Sequence, residues 1–329
     1  MCIDASMAVI ETSSYTNKIN NNSNQEQREQ QREETLDLIP VLHVKDVCKS
    51  FDYKNNKNNG SSKIANYGHI SRKQQQQLSS NSTSNLGTFT HDVLNRVDLR
   101  IRKGEFVTIV GPSGCGKSTL LNIIAGLDRP DSGSLLVRGA AEDSNKASST
   151  NRIMIFQESA LFPWLNVQEN VEFGLKIAKV HKERRQQVAD KYIEMVGLSK
   201  FSESLVYQLS GGMKQRVAIA RALAMEPEVL LMDEPFAALD VQTRDLLHDE
   251  LIGIHKTTGK TILFVTHNIN EAVLLGDRVI ILSSVLKNIK KEFRIEIPRP
   301  RDPESPELYD IKKQILKEFE GDLQIAKRK

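Results

Sequence analysis

Cysteine is scarce in this 329-residue sequence: Cys2, Cys48 and Cys115 stand far apart. That spacing gives neither a disulfide framework nor a zinc site, and it points to a reducing compartment. Long apolar runs are missing too. Nothing approaches the ~18 apolar residues that a membrane-spanning helix needs. The N-terminus has no basic-then-apolar leader pattern, so a role at a membrane would require another subunit to cross it. Excess charge is also lacking, since a net +3 is too near neutral to predict a nucleic-acid partner. Two stretches lack apolar residues. Residues 1–38, rich in Asn, Gln, Ser and Glu, cannot bury enough area to offset ordering entropy and are expected to form a disordered tail. Residues 54–88, with the Gln74–Gln77 run, read as a low-complexity insertion in a surface loop.

What the chain does have is Gly111-Pro112-Ser113-Gly114-Cys115-Gly116-Lys117-Ser118, which fits the G-x-x-x-x-G-K-[ST] phosphate-binding loop. An apolar run over 106–110 precedes it and reads as a buried strand. Thr119–Gly126 follows and reads as a helix ending at glycine. The glycines let successive N–H groups converge on one anion, and the helix N-terminus adds its positive dipole end. Lys117 can reach outer phosphates, and the Ser118 hydroxyl can ligate Mg²⁺. Cys115 is expected to be a small residue in a tight turn.

Around this loop, apolar strands alternate with helices. Strands are expected over 41–47 (an edge strand), 93–101, 134–137, 153–156, 229–232, 261–266, 278–282 and 293–297. Helices are expected over 166–178, with Asn166 and Glu169 as a capping pattern, and over 182–196, 210–225, 241–257, 271–275 and from Pro306 onward. Residues 140–151 read as a loop. This alternation argues for a mostly parallel sheet covered on both faces. Such a sheet gathers its active groups at the carboxyl ends of its strands. One strand feeds the phosphate loop, and the others end in Gln157, in Asp233-Glu234 and in His267. For phosphoryl transfer to water, Asp233 can hold Mg²⁺, Glu234 can act as general base, Gln157 can touch metal and water, and His267 can donate to the terminal phosphate.

Leu209-Ser210-Gly211-Gly212 followed by Gln215-Arg216 resembles the signature motif of ABC transporter nucleotide-binding subunits, with Met213 where glutamine is commoner. Leu231–Pro235 resembles the Walker B segment, Ala238-Leu239-Asp240 the D-loop, His267 the switch histidine and Gln157 the Q-loop glutamine. The resemblance covers about 41–283. It implies a P-loop NTPase fold, α/β, with a mostly parallel core sheet, an antiparallel β subdomain and a helical subdomain, about 158–225, that carries the signature. It implies an ATP-binding domain over 39–285 and a strand-and-helix extension over 286–329.

The cofactors implied are ATP and Mg²⁺, with metal contacts from Ser118, Gln157 and Asp233. Nucleotide contacts are implied for Gly111, Pro112, Ser113, Gly114, Cys115, Gly116, Lys117, Ser118 and Thr119. Phe51 falls where the family stacks an aromatic on adenine, with Tyr53 as a rival. Ser210, Gly211, Gly212 and Gln215 are expected to act in trans, on nucleotide held by a second copy in an ATP-sandwich dimer.

The stretches 157–165, 171–175 and 236–240, and the Pro298–Arg301 tail, are similar to subunits of nitrate, sulfonate and taurine importers. That branch implies an integral membrane permease, an extracytoplasmic solute-binding protein acting indirectly, no nucleic acid, and a place on the cytoplasmic face of the membrane. Phe162 and Trp164 are then expected to receive a permease helix. The alternative is a soluble ABC ATPase not coupled to transport.

Overall fold

The computed structural model describes residues 40–54, 88–138, 140–141 and 151–328. The expected tail, nearly all of the low-complexity insertion and most of the 140–151 loop lie outside the described residues.

The chain opens with two long antiparallel strands, β1 (Leu42–Lys54) and β2 (Thr88–Ile101). Next come β3 (Phe106–Val110), α1 (Lys117–Ala125), β4 (Ser132–Val137) and the two-residue β5 (Ala140–Ala141). Strand β6 (Arg152–Ile155) leads into three helices, α2 (Val167–Ile177), α3 (Lys182–Met195) and α4 (Gly211–Ala224). Then β7 (Val229–Asp233), α5 (Val241–Thr258), β8 (Thr261–Thr266), α6 (Ile269–Leu275) and β9 (Arg278–Leu282) alternate. The chain ends in β10 (Ile289–Arg294) and α7 (Pro306–Arg328).

Two sheets result. One is antiparallel, ordered β2-β1-β4-β5; the other has six strands ordered β10-β9-β3-β8-β7-β6 and is parallel except for β10. All five residues of β3 are buried, because layers cover the core sheet on both faces. Phe106 packs with Phe236 and Phe264 on one side. Val107 and Ile109 face Leu120, Ile124 and the antiparallel sheet on the other. A strand covered this way is apolar throughout rather than alternating.

Two expectations need correction. The 41–47 strand is not an edge: β1 is paired on both sides, with β2 and β4. The 293–297 strand is displaced to Ile289–Arg294, which pairs antiparallel with β9. Ile295 is buried and Ile297 partly buried against the α6–α7 cluster, so their alternation reports burial rather than strand pairing. Pro298 and Pro300, without N–H groups, could not extend a ladder.

Local chemistry fixes several helix ends. Asn166 Oδ1 accepts from Glu169 N at 2.7 Å, and Glu169 Oε2 accepts from Asn166 N at 3.0 Å. Such a capping box is worth about 1 kcal/mol. Helix α1 stops at Gly126, left-handed at φ 75°, whose N–H bonds back to Asn122 and Ile123. Helix α7 buries Leu308 and Ile315 and partly buries Ile311 and Phe319 against α6. Its Asp322 accepts from Ser283 Oγ at 2.6 Å and Ser284 N at 2.9 Å, tying α7 to the turn after β9.

Candidate functional site

Strands β6, β7, β8 and β3 are consecutive neighbours in the core sheet. Val110 lies opposite Thr266, Asp233 opposite Val265, and Ile155 opposite Met232. Gly111, His267, Glu234 and Gln157 therefore all lie just past the ladder at one edge of the sheet. This brings together groups separated by up to half the chain.

The phosphate loop follows β3 without slack. A Cβ on Gly111 would sit 2.5 Å from Leu282 O. Gly116, at φ 105°, caps α1 in a left-handed conformation, and a Cβ there would meet Leu94 Cδ2 at 2.8 Å. Only glycine fits both demands. Cys115 is fully buried in the core behind the loop. Burial pushes its thiol up against the opposing pull of Lys117, which makes it an inert packing residue. Lys117, 6% exposed, donates to Gly111 O at 2.8 Å and Pro112 O at 3.2 Å. Its ammonium lies 3.9 Å from Glu234 Oε1.

The carboxylates follow from β7. Ser118 Oγ donates to Asp233 Oδ1 at 3.2 Å. Burial pushes the Asp233 carboxyl above the usual carboxylate range; the Ser118 hydrogen bond opposes this, the Glu234 charge adds to it and Lys117 opposes it. Glu234 sits at φ 46°, in the left-handed region, while its N–H still donates to Val265 O at 2.9 Å. A non-glycine residue held there costs about 1–3 kcal/mol and aims the side chain away from the strand direction. The result is a direct contact, His267 Nδ1 to Glu234 Oε2, at 2.8 Å. Gln157 is exposed, beyond the end of β6.

A cation fits beside Asp233. The hydroxyl of Ser118 and this carboxylate already converge, and a positive charge there would offset the burial of the carboxylate. Among the described residues no three His, Cys, Asp or Glu side chains form a metal cage. A cation at this position would therefore take its remaining ligands from phosphate and water, as Mg²⁺ commonly does.

The other expected residues belong to other elements. Phe51 is half-buried, with Lys49 Nζ 5.3 Å from its ring centroid. It pairs with His91, two residues from Val93, whose carbonyl crowds Gly116. That places Phe51 on the arm of the antiparallel sheet nearest the loop. Ser210 caps α4, accepting from Met213 N at 3.3 Å. Gly212 backs onto α5, where a Cβ would come within 2.5 Å of Thr243 Cγ2. Gln215 is 3% exposed with its Nε2 unpaired among the described residues. Asp240 caps α5 through Thr243 N at 2.9 Å.

The structure adds Arg244, which shares a small cleft with Glu234, His267 and Asn268. It donates to Leu239 O at 2.9 Å, bracing the turn before α5. The only sequence signal for it is its position one helical turn beyond Asp240.

Phe162 and Trp164 touch, with ring centroids 5.6 Å apart, but differ in exposure. Phe162 packs against Phe173 with centroids 4.2 Å apart, under the Arg221 guanidinium. Trp164 is 72% exposed.

A family model described as ABC transporter matches residues 94–237. A nitrate import ATP-binding protein of Synechocystis is 48% identical over 221 residues, 67% of this chain and 82% of that protein. The chain belongs to the ABC transporter ATP-binding family. An aliphatic sulfonates import ATP-binding protein of Bacillus cereus is 44% identical over 236 residues, 71% of this chain and 90% of that protein. A dimeric ATP-binding cassette solved in a post-hydrolysis state with ADP and Pi superposes with TM-score 0.59 at 32% identity, covering 78% of this chain and all of that one. The fold is thus that of a P-loop ABC ATPase, and ATP is its nucleotide. Among the described residues no helix is long and apolar enough to cross a membrane.

Proposed function

We propose that this chain is the ATP-hydrolysing subunit of an importer for a small anion such as nitrate, a sulfonate or taurine. The observation that carries the reading is the meeting of four strand ends: phosphate loop, Asp233-Glu234, His267 and Gln157 on neighbouring parallel strands. Lys117 and the loop N–H groups hold the phosphates. Glu234 takes the proton of the attacking water, and His267, already hydrogen-bonded to it, orients that carboxylate and donates to the terminal phosphate. Ser118, Asp233 and Gln157 would hold Mg²⁺, which would neutralise phosphate charge.

Two copies pair so that Ser210, Gly211, Gly212 and Gln215 of one approach the nucleotide held by the other. The exposed start of α4, with free N–H groups and its dipole, supports this. A separate permease crosses the membrane, fed by an extracytoplasmic solute-binding protein, and this subunit sits on the cytoplasmic face. Trp164, exposed beyond Gln157, supports a docking surface for a permease helix.

The decisive experiment is steady-state ATP turnover by the parent and by Glu234→Gln. The amide keeps shape and loses the base, so ATP binding persists while turnover falls ~10²–10⁴-fold. Near-normal hydrolysis by the variant would refute the assignment. For the transport half, Trp164→Glu releases the chain from the membrane fraction of its own cells while turnover of the purified protein is spared. Unchanged membrane recovery counts against the docking surface.

A further inference from the structure

Behind the Glu234–His267 pair lies a buried polar chain that the hydrolytic reading does not use. His248, on α5, is 7% exposed, and Glu271, on α6, is 5% exposed. His248 Nε2 lies 2.9 Å from Glu271 Oε1, where a ring N–H can donate to the carboxylate. The other carboxylate oxygen, Oε2, accepts from the Thr266 hydroxyl. Thr266 Oγ1 in turn accepts the backbone N–H of Asn268 at 3.0 Å. Asn268 then caps α6, accepting from Asn270 N at 2.9 Å. Residue 267, whose imidazole touches Glu234, is therefore pinned between two residues of this chain of bonds.

The Glu234 side meets the His248 imidazole as well. Phe236, fully buried and two residues after Glu234, lies edge-on to the His248 ring with centroids 5.5 Å apart. The cleft beside Glu234 and His267 is also lined by Thr266, Asn268 and Glu271. One side chain thus contacts both the segment that presents Glu234 and the network that holds the turn of His267. Helix α5 begins at the cap Asp240, so the same side chain links the D-loop helix to the switch turn.

We propose that His248 is a positioning residue for ATP hydrolysis, acting through Glu271 and Thr266 to fix the backbone that carries His267. The proposal rests on the reading of Glu234 and His267 as the hydrolytic pair. Buried carboxylate oxygens need donors, and water cannot replace a donor at these exposures. Without His248 the Glu271 carboxylate seeks other partners, Thr266 follows, and the His267 turn loses its single geometry. Glutamine at 248 can supply the same donor from Nε2.

The test uses the full chain with His248→Leu, His248→Gln and Thr266→Val. Readouts are kcat, KM, ATP affinity by calorimetry, and nucleotide-free amide exchange at Asn268. His248→Leu is expected to lower kcat roughly tenfold or more, within the ~10²-fold that an ångström of misplacement costs, with KM and ATP affinity near parental. Its Asn268 amide exchanges faster. His248→Gln restores both. Thr266→Val, which keeps the shape and removes the hydroxyl, reproduces the loss and carries the test if the leucine variant does not fold. Parental kcat and parental Asn268 exchange in either disrupting variant overturn the proposal, as does a kcat loss that glutamine leaves unrescued. Glu234→Gln serves as the control. If it hydrolyses ATP at the parental rate, the reading of the pair fails first, and the catalytic half of this proposal falls with it whatever the exchange data show.

Discussion

Ser118 Oγ donates to Asp233 Oδ1 at 3.2 Å, across 115 residues of sequence. The bond joins the start of α1 to the end of β7, although β8 separates β7 from β3 in the sheet. It places a hydroxyl and a carboxylate where one cation can take both. Asp233 itself is half-buried, with the Ser118 hydroxyl as a donor to its carboxylate.

That charge has a pH signature. Burial raises the Asp233 carboxyl in the folded chain above its unfolded value. Between those two values the folded state binds more protons, so its contribution to stability is present at low pH and is lost as pH rises through the window. Asp233→Asn, which carries no charge, should therefore melt higher than the parent at neutral pH without nucleotide. The gap should close near about pH 4, where an ordinary Asp protonates. Melting curves at both pH values check this, and a constant gap would contradict the burial argument.

Lys117 waits with its ammonium on two loop carbonyls, at 2.8 and 3.2 Å. Lys117→Ala removes a charge-assisted contact to phosphate worth about 1.5–3 kcal/mol, so ATP affinity should fall roughly 10- to 100-fold. Calorimetry giving equal affinity for variant and parent would count against the assigned role.

Sharing of the site between two copies can be tested by complementation. Ser210→Arg should block hydrolysis and spare ATP binding by the single subunit, whereas Lys117→Ala weakens binding. Mixed, each supplies the half that the other lacks, and one composite site should recover slow turnover. A mixture without activity and without an ATP-dependent dimer in sedimentation would exclude the shared site. The alternative is that Ser210 only caps α4, worth ~1 kcal/mol.

Arg301 is a side-chain cap for the far end of α6. Its guanidinium is 7% exposed and donates to Val273 O and Gly276 O at 2.7 Å, and to Ile297 O at 2.8 Å. Burial pushes its pKa down to about 10, so it remains charged at neutral pH. Arg301→Leu strands several buried carbonyls at a cost of about 1–3 kcal/mol each. A clear drop in melting temperature is expected, with ATP affinity of the surviving folded protein unchanged. An unaltered melting curve would show that water replaces the guanidinium.

The sequence by itself determined the local pieces. The left-handed turn at Gly116, the capping box at Asn166 and the proline opening α7 each act within a few residues, and the apolar strands show as uninterrupted runs. Periodicity and turn chemistry expose such features directly. The sequence also named the polar strand ends, because an apolar run that stops at Gln, Asp-Glu or His is visible in one dimension. The tertiary structure alone decided which strands are neighbours, and so that β1 lies inside its sheet while β10, among the described residues, pairs with β9 alone. It alone joined Ser118 to Asp233, His267 to Glu234, and His248 through Glu271 to Thr266. Those partners are set by strand order and helix packing over distances at which the sequence carries no period. A buried polar group chooses the donor that the packed layers bring to it, and that choice exists only once the layers have met.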